Sequence, residues 1–207
     1  MSVRVPIAEF EKSAAAAEGW PTDPAIEIAF AGRSNVGKSS LINTLVERRG
    51  LVRTSRTPGR TRLVNFFHAE IIDDEEQRHA FRLVDLPGFG YAKVSKVERA
   101  TWRPLIEGYL VGREPLRVVA LLVDARRGVE LDESELAPWL VARGVAVVPV
   151  VTKVDKLAKH ERKLAADRIR KELSGLKPVL FSASSGEGRD ELWRRLLAAV
   201  AATTSTG

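Results

Sequence analysis

From residue 26 onward the chain alternates short apolar runs with longer amphipathic stretches. The runs 26–31, 62–72, 80–85, 117–123, 145–151 and 178–182 are rich in Val, Ile, Leu and Phe, and they read as strands buried on both faces. The stretches 38–48, 95–111, 133–142, 159–173 and 189–201 read as helices. In the last of these, Leu192, Leu196, Leu197 and Val200 fall at helical spacing while Arg194 and Arg195 point elsewhere. The polar segment 73–79 joins two strands and predicts a hairpin turn. The alternation predicts an α/β fold of three layers: a mostly parallel six-stranded sheet, one antiparallel edge strand at the 62–85 hairpin, and helices on both faces. Residues 1–24 read as an N-terminal extension anchored by Phe10 and Trp20, residues 25–202 as the domain proper, and 203–207 as a disordered tail.

Composition narrows the class without naming it. The 207 residues, 44% of them hydrophobic, suffice for one sizeable core. Lys and Arg total 33 against 27 Asp and Glu, a net charge of +6, which fits either a polyanionic partner or a solvated basic surface. There is no cysteine, which excludes disulfides, thiolate metal sites and a cysteine nucleophile. No apolar run approaches the ~20 residues that cross a bilayer. The Ala14–Ala17 stretch is too short for the apolar region of a signal peptide, so the expected location is cytoplasmic, with no membrane contact.

The decisive motif is Gly32-Arg33-Ser34-Asn35-Val36-Gly37-Lys38-Ser39, a match to G-x-x-x-x-G-K-[ST] lying between a predicted strand and a predicted helix. Glycines there allow close backbone approach, so that main-chain N–H groups converge on phosphate oxygens at a helix N-terminus. Lys38 would place its charge on the β- and γ-phosphates, and the Ser39 hydroxyl would ligate Mg²⁺. Asp85-Leu86-Pro87-Gly88 closes another predicted strand; Asp85 could hold a water on Mg²⁺ and the Gly88 N–H could meet the γ-phosphate. Thr152-Lys153-Val154-Asp155 follows a third strand, and the Asp155 carboxylate can accept two hydrogen bonds from a guanine, which adenine cannot offer. The Lys153 stem would lie along the base, and Ser182-Ala183-Ser184, following Phe181 at the end of a strand, would bring a backbone N–H to guanine O6, with Phe181, Ser182 and Ala183 in the nucleotide-binding set.

Taken together, GRSNVGKSS, RTPGRT, DLPGFGYA, TKVD and FSAS resemble the EngB family, also called YihA or YsxC, among the translation-factor-like GTPases. The resemblance covers about residues 26–200. It implies a Ras-like G domain that binds GTP and GDP with Mg²⁺ and hydrolyses GTP slowly. It further implies a switch in late assembly of the large ribosomal subunit, needed for normal cell division and septation, with rRNA and ribosomal proteins as partners. Carried over by position, Thr61 would be the switch threonine that ligates Mg²⁺ and senses the γ-phosphate, within an ordered stretch Gly59, Arg60, Thr61, Arg62 and Leu63. Thr152 stands where many relatives have Asn, which leaves the hydrogen bonds that brace the loop in question.

Three positions bear on rate and partner. Phe89 lies where many small GTPases place a water-orienting Gln, so intrinsic hydrolysis should be slow or partner-activated. Asn35 either helps hold K⁺ near the phosphates or braces the loop. Arg48, Arg49, Arg53, Arg56, Arg60 and Arg62 form the densest basic run, read either as an rRNA contact whose affinity falls with salt or as a solvated loop. His68, His79 and His160 lack ligand spacing, and the expected state is a monomer. An alternative reading is a non-catalytic, guanine-nucleotide-dependent RNA- or protein-binding module, for which Phe89 is the argument. GTPases of tRNA modification or ferrous iron transport share the core motifs but carry extra domains or membrane spans; an ATP-using kinase is opposed by Asp155.

Overall fold

A computed structural model describes residues 3–52, 63–89 and 106–204. Its strands are β1 (Arg4–Ala14), β2 (Glu27–Gly32), β3 (Val64–Ile72), β4 (Arg78–Asp85), β5 (Leu116–Asp124), β6 (Ala146–Thr152) and β7 (Val179–Leu180). They form one seven-stranded sheet in the order β1-β3-β4-β2-β5-β6-β7. β3 runs antiparallel to both β1 and β4, while β2 pairs in parallel with β4 and β5, and β5 with β6. The sheet therefore has seven strands rather than the six predicted, and the antiparallel strand is interior. The added edge strand comes from the segment read as an extension.

The alternation in β1 is interrupted, which conceals it in the sequence. Val5, Ala8 and Ala14 are buried, but register shifts between Arg4 and Ile7 and between Phe10 and Lys12 break the two-residue period. The β3–β4 hairpin closes as predicted: Asp73 accepts hydrogen bonds from the Glu75 and Gln77 amides, each at 2.9 Å, and Ile72 pairs with Arg78.

The helices are α1 (Lys38–Leu45), α2 (106–112), α3 (Leu131–Val141), α4 (Lys159–Glu172) and α5 (Arg189–Thr204). The first part of the predicted 95–111 helix lies outside the described residues. α5 runs into the segment read as a disordered tail, because the Thr203 hydroxyl donates back to the Ala199 and Val200 carbonyls within its last turn. Each face of the sheet buries its own core. On one face Leu41 and Ile42 of α1 meet Leu192, Trp193 and Leu196 of α5; on the other, Ile106, Tyr109, Ala137 and Ile169 pack on Ala29, Leu121 and Val151. The buried Trp193 indole donates to the Leu45 carbonyl at 3.0 Å, which ties the two helices of the first face.

At the lower end of the sheet the fully buried Glu27 accepts from Tyr109 Oη at 2.6 Å, Arg113 Nε at 2.7 Å and Arg82 Nη1 at 3.2 Å. Arg82 reaches on to Glu11 of β1 and to Asp23. The segment before β2 is thus paired to β3 through β1 and joined by charge to Arg82 of β4, which in turn contacts Glu27 at the start of β2. Burial first, and then the Glu27 carboxylate, push the Tyr109 hydroxyl well above its ordinary pKa.

Candidate functional site

The candidate site forms where β2, β4, β5 and β6 end, the edge at which open α/β sheets bind ligands. β2 runs through Gly32 into the loop 33–37, and α1 begins at Lys38 and Ser39. Gly37 caps α1 with φ 105°, and Asn35 also lies in the left-handed region at φ 65°. A Cβ at Gly37 would be strained by that dihedral. Left-handed residues just before a helix N-terminus curl the backbone into an anion-binding concavity.

The chain leaving β4 is zipped to this loop. Ser34 N donates to the Phe89 carbonyl at 2.9 Å and Phe89 N to the Gly32 carbonyl at 3.2 Å. A Cβ on Gly88 would lie 3.0 Å from the Ser34 backbone, tighter than ordinary contact, so glycine lets the two loops lie this close without a shift. Asp85 sits at the end of β4, 3% exposed at its side chain, in contact with the Lys38 ammonium, and Asn65 Nδ2 donates to its second oxygen at 3.4 Å. Leu86 and Pro87 are buried behind it. Phe89 is also buried, among Leu86, Ile106 and Tyr109. Its ring is a core group, and it presents no hydrogen-bonding atom at the position where many GTPases use Gln.

β6 ends in Thr152, whose buried hydroxyl donates to the Val36 carbonyl at 2.7 Å. The bracing bond placed in doubt by the absence of Asn is therefore made by threonine. Lys153, with φ 60°, donates from Nζ to the Asn35 carbonyl at 2.6 Å and to Asp124 Oδ2 at 2.9 Å. Its stem runs beside Gly37. Val154 is buried, and Asp155 sits in the turn Val154–Lys156. The fully buried Ser182 donates to Asp155 Oδ1 at 2.8 Å, which holds that carboxyl below the usual carboxylate range. Phe181 is anchored by its amide to the Val151 carbonyl at 2.8 Å, and Ala183 accepts from Thr44 Oγ1 of α1 at 3.1 Å. The four segments are thus held to one another by hydrogen bonds before any ligand is considered.

Of the remaining predicted positions, Leu63 is 37% exposed at the foot of β3. Gly59, Arg60, Thr61, Arg62, Arg53 and Arg56 lie outside the described residues. Arg48 and Arg49 follow α1; Arg49 is exposed, while Arg48 Nη2 donates to the Pro6 carbonyl of β1 at 2.9 Å. Sequence reasoning passed over Arg33's partner Glu130, and over Asp124 at the end of β5. The available signal was an acidic residue closing an apolar strand just ahead of a turn, LLVDARRG. Among the described residues no helix is long and apolar enough to cross a membrane.

Comparison with known proteins agrees with this geometry. A family described as "50S ribosome-binding GTPase" matches residues 27–153. The "Probable GTP-binding protein EngB" of Anaeromyxobacter dehalogenans (strain 2CP-C) is 46% identical over 209 residues, covering 100% of this chain and 97% of that one. Its counterpart in Geobacter sulfurreducens is 46% identical over 202 residues, 96% of this chain and 94% of that one. The crystal structure of a probable GTP-binding protein engB matches with a TM-score of 0.64 at 23% identity, over 84% of this chain and 98% of that one, a likeness of fold. Aquifex aeolicus Era, in a crystal structure with GDP and aluminium fluoride, matches with a TM-score of 0.68 at 26% identity, over 84% of this chain and 56% of that one. The P-loop at the end of β2, its neighbours at the ends of β4 and β6, and full-length identity at this level lead to one statement: the chain belongs to the EngB family of GTP-binding proteins, within the ribosome-binding GTPases.

Proposed function

We propose that this protein binds GTP and GDP at the loop 32–39, hydrolyses GTP slowly, and works as a nucleotide-dependent switch in late assembly of the large ribosomal subunit, with normal cell division and septation depending on it. The observation that carries the reading is the convergence of Lys38, Asp85 and Asp155 on one edge of the sheet, with the Asp155 carboxylate held by the Ser182 hydroxyl. In the proposed complex Gly32 to Gly37 wrap the phosphates, Lys38 neutralises them, and Asp155 accepts the guanine N1–H and N2–H₂ donors. Thr152 and Lys153 hold the base turn against the P-loop, and Phe181, Ser182 and Ala183 close over the base edge.

Mg²⁺ fits the residues present: the buried Asp85 carboxylate and the Ser39 hydroxyl at the start of α1 are hard oxygen donors of the kind this ion takes beside phosphates. Ser39 and Thr61 would ligate it directly and Asp85 through water, and it would supply charge neutralisation at the phosphates. Asn35 is exposed at its side chain, and K⁺ stimulation through it remains part of the proposal; equal hydrolysis rates in KCl and NaCl would remove it.

The buried Phe89 favours a low intrinsic rate, with the orienting group for water coming from another residue or from the ribosome. Among the basic residues Arg49, Arg53 and Arg56 are proposed to meet rRNA, with Arg48 also holding β1. Sedimentation through sucrose with ribosomal subunits tests the partner: the protein should co-migrate with large subunits in a non-hydrolysable GTP analogue and leave them in GDP. Phosphate release measured with and without large subunits tests the enzyme; no release in either would favour a non-catalytic module.

A further inference from the structure

The turn 124–130 after β5 carries none of the nucleotide-binding signatures, yet it is linked to the P-loop at both ends. At its far end Glu130 pairs with Arg33. At its near end Asp124, 6% exposed, stands opposite Thr152 in the β5–β6 pairing. Asp124 Oδ1 accepts from the Arg126 amide and from Arg126 Nε, each at 3.0 Å; Oδ2 accepts from Arg126 Nη2 and from Lys153 Nζ, each at 2.9 Å. Burial would raise this carboxyl, but the hydrogen bonds from Arg126 and Lys153 outweigh it and hold the group well below the usual carboxylate range.

The Lys153 ammonium is shared between Asp124 and the Asn35 carbonyl. A lysine on a four-carbon stem has no preferred seat, and a single carbonyl oxygen is a weak one. The buried carboxylate, itself fixed by the planar fork of Arg126, supplies the direction. Asn35 and Lys153 both occupy the left-handed region, so each end of this bridge is a backbone turn that other conformations would relax.

We propose that Asp124 is a positioning residue for nucleotide binding: it holds the Lys153 ammonium on the Asn35 carbonyl and so locks the P-loop and the base-reading turn into one arrangement. Asp124 lies outside the segments 32–39, 152–155 and 181–183 proposed to hold the nucleotide, and reaches them through Lys153. The proposal rests on the reading of 32–39 and 152–155 as the nucleotide site. Losing the lock releases both halves of the site together, so the off-rates of GDP and GTP rise by the same factor.

The test uses the full chain and a fluorescently labelled GDP, with release followed after addition of excess unlabelled GDP. Asp124→Asn is expected to speed release about tenfold, and Lys153→Ala by at least as much, since it also removes the stem proposed to lie along the base. In the double variant the two effects should not multiply, since both break one bridge. Asp124→Glu keeps the charge but sets the carboxylate one methylene further out, so its off-rate should fall between wild type and Asp124→Asn. A merely structural Asp124 would lower the unfolding temperature without this pattern. A wild-type off-rate in Asp124→Asn, or effects that multiply with Lys153→Ala, would overturn the proposal. Should Asp124→Asn not fold, a wild-type off-rate in Asp124→Glu would overturn it equally. If the wild-type chain binds no labelled GDP, the reading of the site itself fails, and the two failures are told apart.

Discussion

Replacing Thr152 by valine keeps the shape of the side chain and removes one hydrogen bond between β6 and the P-loop. The bond is short, 2.7 Å from Oγ1 to the Val36 carbonyl, and both residues are buried, at 3% and 4% exposure. Depriving a buried carbonyl of such a donor costs about 1–3 kcal/mol, and the buried methyl that replaces it returns about 0.8 kcal/mol. The net loss is about 0.2–2.2 kcal/mol, up to a factor of roughly 40 if it appears as faster release of GDP. Thr152→Ser is the control, because it keeps the hydroxyl and removes a methyl at a cost of about 1 kcal/mol to the fold. Both variants should lose about 2–4 °C of unfolding temperature per kcal/mol in a chain of this size. Only Thr152→Val should release labelled GDP faster, while Thr152→Ser stays within about twofold of wild type. Equal release from the two variants would refute the claim that this hydroxyl anchors the P-loop.

Asp155→Asn should cost guanine nucleotides about 1.5–3 kcal/mol, roughly 10- to 150-fold, and shift preference toward xanthine nucleotides; competition binding with XTP and GTP checks this, and retained guanine preference would overturn the base assignment. Glu27→Ala should destabilise the fold by about 3–5 kcal/mol in denaturant titration, because it leaves the largely buried Arg113 without its carboxylate and the buried Tyr109 hydroxyl without its acceptor, while Arg82 keeps Glu11 and Asp23. Burial pushes the Glu133 carboxyl up to about 7 from an ordinary 4.5, against hydrogen bonds from backbone amides including that of Glu130. A raised acid keeps its proton in the folded state where the unfolded chain has released it, so this group lowers stability as pH rises from about 4.5 to about 7. Glu133→Gln should match wild type near pH 4.5 and be more stable by about 1–3 kcal/mol at pH 8, measured by denaturant unfolding at both values.

The strands that carry the site were readable because they are continuous apolar runs: β2, β5 and β6 begin and end within one or two residues of their predicted limits. The P-loop and the turn at Asp155 were readable because phosphate and guanine chemistry demand particular residues at particular spacings. What escaped depends on pairing across the fold. β1 carries Glu9, Glu11 and Lys12 among its buried Val5, Ala8 and Ala14, and it becomes a strand only because β3 offers it an edge. Glu27 looks like a polar residue preceding a strand; its burial becomes tolerable only when Arg82, Arg113 and Tyr109 arrive from three other segments. Asp124 and Glu130 gain meaning from the loops they touch, which no local pattern reveals.

The strand at the edge of the sheet sets a practical limit on how this protein can be trimmed. A shortened version beginning at residue 25, where the motifs start, would bare the backbone of β3 from Val64 to Ile72 and take Glu11 and Asp23 away from Arg82. Unpaired strand edges recruit other chains. Such a fragment would keep every nucleotide motif and still self-associate, so insolubility in it would report a missing neighbour for β3 and say nothing about the P-loop.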